Sequence, residues 1–364
     1  MRNVVTVEAT PNIAVVKYWG KRDESLILPT NSSISMTVDS LKTRTSVMFD
    51  SSLRKDEFWL NGKKVDLDKN PEAKERLKQL EVIRKRAGIT HHARIVSING
   101  FPTAAGFASS ASGLAALAVA ASKAAGLKLD TKQLSILARL GSGSASRSVM
   151  GGFVEWQKGE KADGSDSHAV QLADHQHWPQ MRLVSAVVNA GKKKVSSRSG
   201  MRQTMATSAL YRARLEHHLP KVVPEMRRAI AHKDFATFAD ITMRESNSLH
   251  SVMADTWPPI HYMNDASREI VALVHELNEK AGHTIAAYTF DAGPNAHIYT
   301  LAQNVDKVKR MLRQVKAVKK VVVSKPGPGP IELTRPAEHL IDPETGRVRK
   351  HSFNEKRQEI MVRS

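Results

Sequence analysis

Four short stretches carry side chains whose types and spacing suit a phosphorylated anion. The first is P-T-A-A-G-F-A-S-S-A at 102–111, a small, turn-forming run that opens into Ala/Leu-rich sequence closed by Gly126. Gly106 lets the backbone approach a ligand closely, and Ser109, Ser110 and Ser112 stand where a helix begins and serine is favoured. A buried helix whose first turn offers bare N–H groups and hydroxyls is an anion cradle. An ordinary buried helix with a serine cap is the plainer alternative. The second stretch gathers Tyr18, Lys21 and Arg22 around Gly20, a hydroxyl, an ammonium and a guanidinium that together suit phosphate. The third, G-S-G-S-A-S-R-S at 141–148, lacks the last glycine of a dinucleotide fingerprint and is not a G-x-S-x-G elbow. Alone it reads as a flexible linker. The fourth, K-K-K-V-S-S-R-S-G-M at 192–201, reads either as a phosphate-binding loop or as a solvated basic turn. Asp291, in D-A-G-P-N, reads by itself as an Asx-turn residue before glycine.

Other chemistries fall away. No G-x-x-x-x-G-K-[ST] occurs, and G-K-K-K at 191–194 lacks both the upstream glycine and the following hydroxyl. His275-Glu276 is not an H-E-x-x-H site, since Glu279 stands where the second histidine belongs. His175 and His177 have no third ligand nearby and read as surface histidines.

The elements that must position these residues are legible as periodicities. Strands are expected at 4–7, from Ser33 onward as a half-buried strand, at 43–49 and at 56–60, where Asn61-Gly62 makes a hairpin turn. Asn70-Pro71 opens an amphipathic helix that Gly88 stops, and a strand at 93–98 feeds the first stretch. A short helix at 132–140 precedes the third stretch, with alternation resuming at 151–156 and a strand at 182–188. Helical spacing then covers 208–218, 222–232, 235–253 and 264–280. Strands at 285–290 and 296–301 flank the turn holding Asp291. A helix at 305–318, a strand at 321–324 and a rigid turn at 326–330 follow.

With 364 residues the chain can bury a large core in one domain or two lobes. The absence of cysteine excludes disulfides and thiolate metal sites. No apolar run reaches membrane-spanning length and no secretory leader is visible, so a cytoplasmic location is expected. The net charge of +19 admits nucleic-acid binding, a solvated basic surface, or a field that gathers polyanionic substrates. Lys and Arg are spread along the chain, and aromatics, 5% of residues, do not interleave with the short basic clusters. No stacking platform for nucleic acid results, and neither nucleic acid nor membrane is an expected partner.

The run at 102–111 resembles the P-x-x-x-G-L-x-S-S-A phosphate loop of the GHMP small-molecule kinases, with Phe107 in place of leucine. N-I-A-V-V-K-Y-W-G-K-R-D-E at 12–24 and L-P-T-N-S-S-I-S at 28–35 narrow the resemblance to the mevalonate diphosphate decarboxylase family. L-G-S-G-S-A-S-R-S-x-x-G-G-F-V-E-W from Leu140, S-S-R-x-G-M from Ser196 and Y-T-F-D-A-G-P-N-A from Tyr288 agree with it. Ser146 stands where the family often has cysteine. The resemblance implies an α+β, two-lobe GHMP kinase fold, with a ribosomal-protein-like left-handed β-α-β N-terminal lobe at 1–188. A ferredoxin-like, helix-rich C-terminal lobe at 189–333 and a charged extension at 334–364 complete it, the last expected to be disordered or loosely docked.

The resemblance also implies ATP-dependent decarboxylation of mevalonate 5-diphosphate to isopentenyl diphosphate through phosphorylation of the C3 hydroxyl, with ATP and Mg²⁺ as cofactors and a homodimer as assembly. Carried residue by residue, it sets Asp291 against the hydroxyl that receives phosphate, with Lys21 nearby. Arg147 grips the substrate carboxylate and is oriented by Asn12. The diphosphate falls to Tyr18, Lys21, Ser142, Ser144, Ser197 and Arg198. ATP falls to Ser97 and Asn99 at the adenine and to Pro102, Ala105, Gly106, Phe107, Ala108, Ser109 and Ser110 at the phosphates, with Ser110 also at the metal. A sibling kinase or decarboxylase acting on mevalonate or its 5-phosphate would use many of the same groups. An RNA-binding protein exploiting the positive surface is the alternative of a different class.

Overall fold

A computed structural model describes residues 2–101, 109–188, 195–355, 357 and 359–363, with backbone alone for Ser109. Three β-sheets organise them. The first has six strands in the order Ile331–Leu333, Val4–Ala9, Thr43–Asp50, His92–Asn99, Glu57–Leu60 and Lys63–Val65. All its pairings are antiparallel except that of Glu57–Leu60 with His92–Asn99. The hairpin turn before Lys63 is held by Asn61 and Gly62, both at positive φ. Helix Ser109–Ala124 lies on this sheet. Its alanines pack against Val5, Val7, Val47 and Ile95, and against Leu80, Ile83 and Leu137 of two neighbouring helices. Small side chains on every face let the helix sink into the core, as its composition predicts.

The second sheet runs Ala169–Ala173, Phe153–Trp156, Ser33–Thr37, Asn12–Val16. Its apolar face meets helices Leu219–His232 and Phe235–Ala254 through Ile13, Val15, Met36 and Phe153 against Met226 and Phe238. The third sheet runs Ala286–Phe290, Ala296–Leu301, Met181–Val188, Val318–Ser324, and helices Asp265–Ala281 and Val305–Gln314 cover it with Ile270, Val274, Val308 and Leu312.

Several elements depart from the periodicity reading. Ser33–Thr37, expected to be half-buried, is buried throughout, because its polar side turns toward a buried arginine rather than water. The helix opened by Asn70 breaks after Arg76 and resumes at Gln79. The fourth basic stretch is neither loop nor turn beyond Ser196. Ser196 caps helix Ser197–Thr207 through the Ser199 amide. The helix at 208–218 is Ala209–Ala213 running into a π turn, Arg214–His218, and on into Leu219–His232. Helix Val305–Gln314 ends early and the last strand of the third sheet starts at Val318, since Val318–Ser324 pairs with Met181–Val188.

The C-terminal tail is folded, not loosely docked. Residues 326–330 thread between Val38 and Gly151, with the Gly327 amide donating to Thr37 O and the Gly152 amide to Gly327 O. A Cβ on Gly327 would sit 2.2 Å from Val38 O. The chain then adds Ile331–Leu333 to the edge of the first sheet, beside Val4–Ala9. Beyond it Leu340, Ile341 and Ile360 bury against Met48, Val96 and Ile98 on the sheet face opposite the alanine helix. Apolar side chains spaced among the charges account for this docking, and the charge content masked them.

Candidate active site

Strand Asn12–Val16 ends in Lys17, whose side chain is 2% exposed and whose Nζ lies 2.8 Å from Asp291 Oδ1. Asp291 follows strand Ala286–Phe290 in a tight turn closed by the Gly293 amide donating to its carbonyl. Its side chain is 40% exposed and faces a cleft of about 590 Å³. Burial pulls the Lys17 ammonium below its ordinary pKa. Asp291 and then Glu245 oppose that pull, while Arg147 adds to it.

Arg147 follows the 3-10 turn Gly143–Ser146 and is buried. Its Nε donates to Asn12 Oδ1 at 3.0 Å and to Ser35 Oγ at 2.9 Å, and its Nη1 donates to Ser33 Oγ. Asn12 is fixed in turn, donating to Ser144 O and Ser148 Oγ. No carboxylate among the described residues lies within ion-pair distance of Arg147. Burial lowers its pKa to about 10, against the pull of Asp291, so it stays a cation at neutral pH. A buried guanidinium held only by neutral oxygens is ready for a ligand carboxylate.

Around this floor the cleft gathers Tyr18, Lys21, Ser142, Ser144, Ser197 and Arg198. Tyr18 packs edge-on to Trp156 at 4.8 Å, and its buried hydroxyl has no hydrogen-bond partner among the described residues. Burial pushes that hydroxyl well above its ordinary pKa, so it is a neutral donor. Ser142 Oγ and Ser144 Oγ lie 3.2 Å apart. Helix Ser197–Thr207 turns its N-terminus to the cleft, where orphan N–H groups favour an anion. Arg198 ion-pairs with Glu75 at 3.3 Å and donates to Gly141 O at 3.1 Å, spanning the cleft. Gly20 turns the chain between Trp19 and Lys21, two of the residues that line the cleft. Its φ of +97° suits glycine, and a Cβ there would lie 1.8 Å from the Tyr211 hydroxyl.

A second cavity of about 230 Å³ adjoins the first. Phe58, Leu60, Ile95 and Leu117 give it apolar walls, and Ser97 and Asn99 line it as polar groups. Ser97 is held by Thr45 and Asn99 by Thr43 and the Asn61 side chain. Ser110, Glu72 and Arg76 line both cavities, so the two are continuous at the start of the alanine helix. A flat apolar slot ending at a helix N-terminus fits a nucleotide base with its phosphates directed to the cleft. No cluster of three His, Asp or Glu ligands occurs among the described residues, and Ser110 lies at the junction of the two cavities.

The structure thus brings Asn12, Tyr18, Lys21, Ser142, Ser144, Arg147, Ser197, Arg198 and Asp291 to one cleft, and Ser97, Asn99 and Ser110 to the adjoining one. Pro102, Ala105, Gly106, Phe107 and Ala108, the Ser109 side chain and the lysines at 192–194 lie outside the described residues. One expectation is corrected. The ammonium beside Asp291 belongs to Lys17, whereas Lys21 ion-pairs with Glu24 at 2.5 Å. Gly20 turns the chain after the strand, so Lys21 starts a new one while Lys17 stays at the buried strand end. A lysine directly after the apolar run N-I-A-V-V was the available signal. Arg76 and Glu72 were also missed, and nothing in a solvated-looking helix face marked them.

Comparison with known proteins follows the same lines. A family described as "Diphosphomevalonate decarboxylase-like N-terminal domain" matches residues 9–169, and "Mevalonate 5-diphosphate decarboxylase C-terminal domain" matches residues 183–324. The chain is 49% identical over 314 residues to the diphosphomevalonate decarboxylase of Saccharomyces cerevisiae, covering 83% of this chain and 79% of that one. It is 42% identical to that of Homo sapiens over 388 residues, covering 93% and 96%. Mevalonate diphosphate decarboxylase from Trypanosoma brucei superposes with a TM-score of 0.86 at 38% identity, covering 93% of this chain and 100% of that one. A structure described as MDDEF in complex with MVAPP, AMPPCP and magnesium superposes at 0.83 with 37% identity, covering 91% and 99%.

Proposed function

The chain belongs to the diphosphomevalonate decarboxylase family, and from that premise we propose how its residues divide the work of the reaction. The fold is the α+β GHMP kinase fold, and the activity is the ATP-dependent decarboxylation of mevalonate 5-diphosphate, with Mg²⁺. The observation that carries the assignment is the Lys17–Asp291 pair on the cleft floor, with the uncompensated Arg147 nearby.

When bound, ATP supplies the phosphoryl group and Mg²⁺ offsets the charge on its phosphates. The slot lined by Ser97 and Asn99 would take the base, and Ser110, at the junction of the two cavities, would hold the phosphates and the metal. Asp291 holds the tertiary C3 hydroxyl of mevalonate 5-diphosphate by its proton and receives that proton as the oxygen becomes phosphorylated. Lys17 keeps the carboxylate oriented and offsets charge that builds up at the transferring group. Arg147, set by Asn12, Ser33 and Ser35, fixes the substrate carboxylate. The C3–O bond then breaks with its electron pair leaving on phosphate. The electron pair of the C–C bond to the carboxylate becomes the new double bond, and CO₂ and isopentenyl diphosphate result. Tyr18, Lys21, Ser142, Ser144, Ser197 and Arg198 hold the diphosphate.

The lobe boundaries expected at 188 and 333 are proposed in amended form. Residues 2–173 together with 331–363 form one lobe and 181–324 the other, following the sheet pairings, since strand Met181–Val188 pairs with Ala296–Leu301 and Val318–Ser324. A homodimer in the cytoplasm completes the proposal, to be tested by light scattering and by cell fractionation. No helix of the described residues is long and apolar enough to cross a membrane.

The deciding experiment is Asp291→Asn with ADP and CO₂ followed together. Turnover is expected to fall by at least about 10³-fold with both substrate KM values nearly unchanged. A variant with ordinary kcat would refute the role.

A further inference from the structure

Two consecutive side chains on the buried face of one helix hold the main chain on both sides of the Lys17–Asp291 pair. Glu245 and Ser246 lie midway along helix Phe235–Ala254 and are fully enclosed. The Lys17 amide donates to Glu245 Oε2 at 2.9 Å. The Phe290 amide, next to Asp291, donates to Ser246 Oγ at 3.0 Å. A helix interior is rigid, so the two anchor points cannot drift apart.

Glu245 is itself clamped. Arg214 Nη1 and Nη2 donate to its two oxygens at 2.9 and 2.8 Å, and His218 Nε2 lies 2.6 Å from Oε1. Both partners come from the π turn Arg214–His218, a kind of turn often found at functional sites. Buried ion pairs are often matched or bettered in stability by apolar packing. Stability alone therefore does not account for a buried carboxylate whose remaining contact is the Lys17 amide.

We propose that Glu245, clamped by Arg214 and His218, is a positioning residue for phosphoryl transfer: it fixes the Lys17 main chain and supplies a buried countercharge for the Lys17 ammonium, while Ser246 does the same positional work for Asp291. Five charged or titratable groups act on or feel Lys17. They are Asp291 from its turn, Glu245 and His250 from the long helix, Arg147 from the turn after Gly143–Ser146, and His297 from strand Ala296–Leu301. Burial holds both histidines near pKa 4, so they are neutral at pH 7. Asp291 and Glu245 are the anions among these groups, and without Glu245 the ammonium loses its proton at lower pH.

The inference rests on the assignment of Lys17 and Asp291 to the reacting end. Lys17→Met tests that assignment separately, since a fully active Lys17→Met enzyme would sink it. For Glu245→Gln the amide oxygen can still accept from the Lys17 amide while the charge is gone. The expected result is a kcat lowered about 10–100-fold with KM values within about threefold of the parent. The alkaline limb of the kcat–pH profile is expected to move down by about one unit. Because Glu245→Gln leaves Arg214 buried without a counterion, the double variant Arg214→Gln/Glu245→Gln is measured beside it, with the same shift expected. An alkaline limb that stays in place in a folded variant overturns the proposal. So does failure of both variants to fold, which would make Glu245 a structural residue only.

Discussion

Arg147 shows how a buried charge is kept available. Its neighbours are two serines and an asparagine, which orient the guanidinium without neutralising it. Arg147→Lys is therefore expected to behave as a loss of function, with kcat/KM for mevalonate 5-diphosphate down about 10²-fold or more, because a lysine has no fork to answer both supports and a carboxylate. Steady-state kinetics check this. Lys17→Met is expected to cost far more kcat than Lys21→Met, which should act chiefly on KM. Glu245 governs a pH effect of its own. Burial would raise its pKa, but Arg214, His218 and the Lys17 amide outweigh burial and hold it at about 2. A folded-state pKa below the unfolded one means that its stabilisation is present above pH 4.5 and drains away toward pH 2. Acid titration by circular dichroism should show Glu245→Gln losing less stability across that window than the parent. At this scale the cleft was legible through the family resemblance its motifs carry, since by residue type alone 141–148 reads as a linker and Asp291 as an Asx-turn residue. The sequence reading missed Lys17 because both lysines are buried at the cleft, and only the turn at Gly20 decides which of the two reaches Asp291 and which pairs with Glu24.

Among the elements, helix Ser197–Thr207 carries a structural and a binding role at once. Ser196→Ala removes its cap and is expected to cost about 1 kcal/mol of stability. Because the same N-terminus lines the cleft, KM for the diphosphate substrate should rise as well, and denaturant titration beside kinetics separates the two. The helix was illegible as such because K-K-K-V-S-S-R has no apolar period before Met201. Strand Ser33–Thr37 misled in the other direction. Its alternation was real, but the polar side faced Arg147, and alternation alone does not distinguish water from a buried cation. The threading segment at 326–330 depends on Gly327. Gly327→Ala must displace Val38 or its own path, at a cost of about 1–3 kcal/mol.

On the scale of the molecule, the two cavities proposed for nucleotide and substrate share a common wall of Ser110, Glu72 and Arg76. A net charge of +19 around a cleft for a polyanion predicts that KM for mevalonate 5-diphosphate rises with ionic strength while kcat changes little. Removal of residues 334–364 is expected to expose Met48, Val96 and Ile98 and to lower stability and solubility, measurable by thermal melting and light scattering. The tail's docking was hidden from sequence reading because three apolar anchors among many charges do not make a period. Only the sheet face that receives them gives them meaning.

The edge strand Ile331–Leu333 is the last part of the first sheet to be synthesised and sits beside one of the earliest, Val4–Ala9. While the chain is still emerging from the ribosome, the opening half of the protein must wait with one sheet border and one apolar face uncovered until nearly everything downstream has been translated. The nascent polypeptide therefore carries its greatest chaperone demand late. Two fragments divided near residue 190 should reassemble only when the second brings the closing strand and tail with it.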